Sequence, residues 1–169
     1  MKKSKSIVAL SALYLVLTCL SIANASTDKN YYTLKSAAPT GTKIQSVDAK
    51  SVIPFDKRYF ELSDSEKEIF RAKFKNISST EIPPFPRSGL KAIYKPLIEQ
   101  FKNLSAQGSL SLTVMVDENG RVTDFTVLQS PTRRLTKASQ KILQNTLFDP
   151  AFCAGEPCDM EFPVTINYL

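Results

Sequence analysis

Two runs of alternating residues restrict the fold of this chain more than any other feature of its sequence. In the first run, Leu110, Leu112, Val114 and Val116 occupy every second position, and the turn Asp117-Glu118-Asn119-Gly120 follows directly. Successive side chains of a strand point to opposite faces, so this alternation predicts a strand with one buried face. Asp at the first turn position and Gly at the fourth favour a type I turn with a glycine bulge. The sequence therefore predicts a β-hairpin.

The return strand of this hairpin has Val122, Phe125 and Val127 as its predicted inward residues. The step of three residues between Val122 and Phe125 breaks the alternation. One extra residue in a strand is typical of a β-bulge, which we place at Thr123-Asp124.

The second alternating run ends the chain. Its inward positions are Met160, Phe162, Val164, Ile166 and Tyr168. Pro163 lies within this run and has no N–H to donate to a neighbouring strand. We therefore expect the run to form an edge strand of the sheet, with its outer border uncovered.

Three helices are predicted around these strands. Ser63 and Glu66 form a capping box for a helix that ends near Asn76. Apolar residues recur at helical spacing over 90–104, and a stable helix is expected from Pro96 onward. Thr136 is the predicted cap of the third helix, whose apolar stripe includes Leu135, Ser139, Ile142, Leu143 and Thr146. This order predicts an α+β fold, with a three-stranded antiparallel sheet and helices on one face.

The first 25 residues have the features of a secretion signal. Lys2, Lys3 and Lys5 precede an uncharged, mostly apolar stretch over 7–23. Ala23-Asn24-Ala25 then matches a signal-peptidase site, so we predict cleavage before Ser26. An uncleaved leader that anchors the chain in the inner membrane is the alternative. Residues 26–54 are polar and aperiodic, and they are predicted to be a flexible segment.

Two cysteines remain once the leader is removed, because Cys19 lies within it. Cys153 and Cys158 flank the turn Ala154-Gly155-Glu156-Pro157. Two thiols in a chain without histidine are too few for a zinc site, and redox pairs usually have two intervening residues instead of four. In an oxidising compartment we therefore expect a structural disulfide between them.

Composition argues against two other classes of function. The net charge of +6 falls to +3 without the leader, and no basic cluster is joined to aromatic stacking positions, so nucleic acid is not an expected partner. The absence of histidine removes the commonest general base, and both remaining cysteines are expected to be bonded. We predict no enzymatic activity, no catalytic residue, no metal site and no cofactor.

The landmarks from about Pro83 to Tyr168 resemble the C-terminal domain of TonB energy transducers. They are, in chain order, Pro83-Pro84-Phe85-Pro86, Gly108, Val116-Asp117-Glu118-Asn119-Gly120-Arg121-Val122, Ser130, Leu135, Phe148-Asp149-Pro150-Ala151, Gly155-Glu156-Pro157 and Phe162-Pro163-Val164. The resemblance implies a protein-binding domain over 83–169, preceded by a helical lead-in over 55–82. It also implies an envelope protein as partner, with an outer-membrane transporter as the typical case.

In such transducers, an extended segment of the partner pairs with the last strand of the domain. Carried over to this chain, the pairing edge is the backbone from Glu161 to Tyr168, with Glu161, Pro163, Thr165 and Asn167 as the partner-binding residues. Main-chain hydrogen bonds would supply affinity, and alternate side chains would select the partner. Pairing of two copies through the same edge is an alternative, and contact with a membrane is expected only if the leader is uncleaved.

The chain departs from the family pattern at several places. No proline-rich spacer follows the leader, Ile82 occupies the position of a partner-contacting glutamine, and residues 90–104 add most of a helix. These differences favour a periplasmic binding module over an energy transducer.

Overall fold

The structure is a computed structural model that describes residues 31–35 and 48–168. Its elements, in chain order, are β1 (Tyr32–Lys35), β2 (Asp48–Ser51), a short 3-10 helix (Tyr59–Glu61), α1 (Asp64–Arg71), β3 (Phe85–Pro86), α2 (Lys91–Asn103), β4 (Gly108–Val116), β5 (Val122–Gln129), α3 (Arg133–Gln144), β6 (Phe148–Asp149), β7 (Ala151–Cys153), β8 (Glu156–Cys158) and β9 (Met160–Tyr168). The predicted cleavage site at Ala23, Ala25 and Ser26 lies outside the described residues.

The main sheet has the strand order β5-β4-β9, and both of its strand pairs are antiparallel. Met115 pairs with Asp124 and Val116 pairs with Val122, so Thr123 is the extra residue of a bulge. The predicted bulge and hairpin are therefore confirmed. With the helices described below, the sheet also confirms the predicted α+β fold.

The core lies between this sheet and the helices. The inward residues of β4 are buried, and so are Phe162, Val164 and Ile166 of β9 and the apolar faces of α2 and α3. Met160 and Tyr168, which were also predicted to point inward, are only partly buried, and Val127 of β5 is 39 % exposed. The largest buried side chains of this layer include Ile93, Leu97, Phe101, Leu110, Leu112, Leu135, Phe148 and Phe162. Burying apolar surface stabilises by roughly 25 cal/mol per Å², so this layer supplies the main driving force for folding.

The helix boundaries differ from the prediction in three places. The Ser63–Glu66 capping box is confirmed, but α1 ends at Arg71 because the chain tightens into a turn after Ala72. α2 begins at Lys91, and Pro96 lies inside it. Burial of the side chains in its first turn offsets the roughly 3 kcal/mol cost of an internal proline.

The cap of α3 was also misplaced by the prediction. Thr132 is the N-cap, because its hydroxyl oxygen accepts the N–H of Leu135 at 3.1 Å. Thr136 lies one turn later, and its hydroxyl donates to the carbonyl of Thr132 at 3.2 Å. Both threonines therefore satisfy polar groups at the start of the helix, but only Thr132 has the extended backbone of a cap.

The segment before residue 83 shares the core of the following domain. Ile53, Phe55, Leu62 and Phe70 are buried in the same cluster as the sheet residues. Where the sequence predicted a flexible segment over 26–54, the described residues include the antiparallel pair β1–β2 and the fully buried Ile53. The lead-in is thus part of the folded unit.

Polar contacts join the same two parts of the chain. The carboxylate of Asp149, in β6, lies 3.2 Å from the Arg58 guanidinium and 3.3 Å from that of Arg87. The Lys91 N–H donates to the Phe55 carbonyl at 2.8 Å. The proline-rich stretch contributes β3, which pairs with β6, and Ile82 exchanges backbone hydrogen bonds with Phe152. These contacts set the position of the lead-in against β6 and β7.

Cys153 and Cys158 are bonded across the β7–β8 turn, with their Cα atoms 5.8 Å apart. Replacing both by serine should lower the free energy of unfolding by about 2 kcal/mol, because the bridge closes only a short loop. Urea denaturation of the double variant, compared with the oxidised protein, measures this change. Loss of the whole fold would contradict a local role for the bridge, and so would an unchanged midpoint.

Candidate functional site

β9 forms one edge of the main sheet, and β5 forms the other. It pairs with β4 along its whole length, from Met160 opposite Val116 to Tyr168 opposite Gly108. Among the described residues it has no second neighbouring strand. One border of β9 therefore presents backbone groups that the sheet does not use.

Alternate residues of β9 direct their backbone N–H and C=O groups to that border. Residues of an antiparallel pair alternate between positions that exchange hydrogen bonds and positions that do not. Pro163 pairs with Thr113 but has no N–H to exchange, so it occupies a position whose backbone groups point away from β4. Glu161, Thr165 and Asn167 are two or four residues from Pro163, so they occupy positions of the same kind. The four residues predicted from the sequence therefore direct their backbone groups to the outer border of the sheet.

Their side chains form one row on the face of the sheet opposite the helices. Glu161, Thr165 and Asn167 are exposed and Pro163 is partly buried, while the intervening Phe162, Val164 and Ile166 enter the core. Such a row offers alternate side chains beside an open backbone border.

Tyr94 of α2 approaches this border. Burial raises the pKa of the Tyr94 hydroxyl, whereas a hydrogen bond with the Thr165 backbone lowers it. A hydrogen bond that lowers the pKa of a phenol must be donated to its oxygen, so the Thr165 N–H is the donor. The border was expected to be uncovered, but the Tyr94 hydroxyl lies beside one of its three N–H groups. Its other donors are the N–H groups of Glu161 and Asn167.

A groove of about 700 Å³ runs beside β9 on the outer face of the sheet. One wall is the segment after α1, and the floor consists of outward residues of β4 and β9. The lining residues include Lys73, Phe74, Ile77, Glu81, Ser111, Thr113, Met115, Leu128, Glu161, Pro163 and Thr165. An extended segment laid along β9 would therefore meet a formed wall as well as a backbone border.

Lys73 is one of the cations on this wall. Desolvation within the groove lowers the pKa of its ammonium group. Among the described residues, no carboxylate lies within 4.0 Å of it. Glu81, Asp159 and Glu161 line other parts of the same groove. The groove thus offers charges of both signs around a partly apolar floor.

The start of β9 is held from two sides. The disulfide closes the turn just before it, and the Asp159 carboxylate accepts the Glu118 N–H from the β4–β5 turn at 3.1 Å. These contacts leave little freedom at Met160, so the border begins from a defined position.

The described part of the chain groups no set of metal ligands beside this border. Within 31–35 and 48–168, no three Cys, Asp or Glu side chains are grouped in a way that could hold a metal ion. In the same residues, no helix has both the length and the apolar character to cross a bilayer.

Sequence reasoning named the four border residues as partner-binding but did not name Tyr94 or Lys73. Tyr94 follows the buried Ile93 in a helix whose first turn was not predicted, and Lys73 follows the actual end of α1. Correct helix boundaries would have indicated that both residues lie near β9, but those boundaries depend on packing of the whole core.

Comparison with known proteins matches the C-terminal part of the chain to one family. Residues 99–169 match the family model described as Gram-negative bacterial TonB protein C-terminal. No curated protein matches the chain. The matched stretch runs from the second half of α2 to the end of the chain and contains the whole main sheet. Residues 99–169 therefore form a TonB C-terminal domain, a member of a family of non-enzymatic protein-interaction domains.

Proposed function

We propose that this chain is a periplasmic protein-binding module that engages an envelope or outer-membrane protein by adding a strand to β9. The observation that carries the proposal is the border of β9, which has backbone groups directed away from β4 over Glu161–Asn167. An added strand would gain main-chain hydrogen bonds there, and the outward side chains would select its sequence.

The contact between Tyr94 and Thr165 sets a condition on this binding. An incoming strand finds the N–H groups of Glu161 and Asn167 and the carbonyl oxygens of the border. It gains the Thr165 N–H only when the Tyr94 hydroxyl moves away. Tyr94 therefore competes with the partner for one donor and lowers its affinity.

Site-specific photo-crosslinking in cells tests whether β9 is the interface. A photoreactive residue in place of Asn167 should give an adduct with an envelope protein. The same residue in place of Gln129, which is exposed on the opposite edge strand β5, should not. An adduct between two copies of this chain would instead support the pairing of two β9 edges.

Backbone substitutions then test strand addition itself against the captured partner. Asn167→Pro removes one outward donor and should weaken binding about fivefold, the equivalent of ~1 kcal/mol for one hydrogen bond. Asn167→Thr keeps the N–H and serves as the matched control. Tyr94→Phe releases the Thr165 N–H and should strengthen binding. If Asn167→Pro binds as well as the control while its circular dichroism is unchanged, strand addition at this border is wrong.

The location of the module depends on its leader. We propose cleavage before Ser26 and release into the periplasm. The alternative is an inner-membrane-anchored energy transducer with an uncleaved leader, acting in transmembrane transport. Mass spectrometry of the mature N-terminus distinguishes the two, since only the cleaved form begins at Ser26.

A further inference from the structure

The positive charge of this chain is concentrated on two helices. The whole sequence has 22 Lys and Arg residues and 16 Asp and Glu residues. α2 and α3 contain seven of the cations and a single carboxylate, Glu99, so the remainder of the chain has 15 of each sign. The seven cations are Lys91, Lys95, Lys102, Arg133, Arg134, Lys137 and Lys141. The net charge of +6 therefore resides on the helical layer.

The segments that build the sheet have the opposite charge. Residues 104–132 and 145–168 contain one cation, Arg121, and seven carboxylates. Four of these carboxylates lie in or next to the turns before β5 and β9. They are Asp117, Glu118, Glu156 and Asp159. The domain is thus positive on its helical face and negative toward the sheet and its turns.

All the cations of α2 and α3 except Lys102 are also available. Within residues 31–35 and 48–168, all ion pairs up to 4.0 Å join side chains of 57–87 and Asp149. Six of the seven helical cations are exposed, and Lys102 is partly buried. Unlike the charges of the lead-in, they are not neutralised by neighbours.

A groove of about 500 Å³ lies between the two helices on this face. Arg134, Lys137 and Lys141 line one wall at positions three and four residues apart, so they are stacked along one side of α3 over roughly 10 Å. The other lining residues, Gln100, Leu104, Ala138 and Ile142, are uncharged and mostly apolar. A ligand could place its anionic groups against the charged wall and its apolar atoms between the two helices.

We propose that the face formed by α2 and α3 binds the surface of an anionic phospholipid membrane, with headgroup phosphates along Arg134, Lys137 and Lys141. Cations spread over two helices match a continuous layer of phosphates better than the few fixed carboxylates of a protein segment. The opposite charge of the sheet and turns would orient the domain, with its helices toward the membrane and the β4–β5 turn away. This binding is independent of strand addition at β9.

Vesicle co-sedimentation of the protein as exported by cells tests the proposal. The protein should bind vesicles that contain phosphatidylglycerol and should not bind vesicles of phosphatidylcholine alone. Each basic residue near an anionic surface contributes about fivefold to partitioning, so replacing Arg134, Lys137 and Lys141 by glutamine should weaken binding on the order of 100-fold. Higher salt should also weaken it, because the contacts lie in water.

A matched control separates this surface from net charge. The triple variant Lys67→Gln, Lys75→Gln and Arg121→Gln removes the same charge outside α2 and α3 and should keep most of the binding. Equal losses in both triple variants would overturn the proposal, as would equal binding to neutral vesicles. Binding of soluble polyglutamate without binding to anionic vesicles would also overturn it, in favour of an acidic protein partner.

Discussion

Gly120→Ala should prevent the domain from folding normally, with a loss of at least about 4 kcal/mol, which is exceptional for one substitution. Gly120 has φ +76°, and a Cβ atom there would lie 2.0 Å from the Phe148 carbonyl oxygen. The Gly120 carbonyl also accepts the Phe148 N–H at 2.9 Å. The clash can be relieved only by moving β6 away from the hairpin. Thermal denaturation should show a midpoint lower by on the order of 10 °C, or no cooperative transition.

Gly155→Ala is the control for backbone strain alone. Gly155 has φ +93°, and a Cβ atom there would meet nothing within 4 Å. This substitution should cost only the roughly 1–2 kcal/mol of an unfavourable left-handed conformation. If the two alanine variants are equally stable, the close approach of the hairpin turn to Phe148 does not govern the fold.

Phe70→Ala should be the next most damaging change, with a loss of about 3–5 kcal/mol. Phe70 lies in α1, outside the family match, and is 2 % exposed. Its ring centroid lies 5.0 Å from that of Phe85 and 6.2 Å from that of Phe162 in β9. Removing the ring would leave a cavity between the lead-in and the sheet. Chemical denaturation of the purified variant measures the loss.

Phe60→Ala provides the matched control in the same lead-in. Phe60 is 64 % exposed, and the Arg58 guanidinium lies 4.7 Å from its ring centroid. Its loss should cost about 1 kcal/mol or less, the scale of an exposed cation–π contact. Similar losses in both variants would mean that α1 does not share the core of the TonB C-terminal domain.

The shared core bears on how the β9 border works. α1 packs through Phe70 near Phe162, and the segment after α1 forms the wall of the groove beside β9. α2 brings Tyr94 to Thr165. Two elements that precede the main sheet in the chain therefore shape the border at which we propose strand addition. A change in the lead-in can alter partner binding without touching β9 itself.

The sequence by itself determined the features that depend on neighbouring residues. Alternation identified the three main strands and their inward residues, and the irregular step after Val122 located the bulge at Thr123. The Ser63–Glu66 capping box and the proline-rich extended stretch were also correct. Each of these signals acts within a few residues, through side-chain direction, turn geometry or a missing N–H.

Only the tertiary structure decided the features that depend on distant residues. α2 continues through Pro96 because Leu90 and Ile93 are buried against elements far away in the chain. Ile53 and Phe70 join the core for the same reason, and Tyr94 reaches Thr165 only after α2 has packed beside β9. The separation of charge between the helices and the sheet is present in the amino-acid sequence. The charges lie on opposite faces only because the helices pack against one side of the sheet. Contact free energy between remote side chains is gained on folding, and no local pattern contains it.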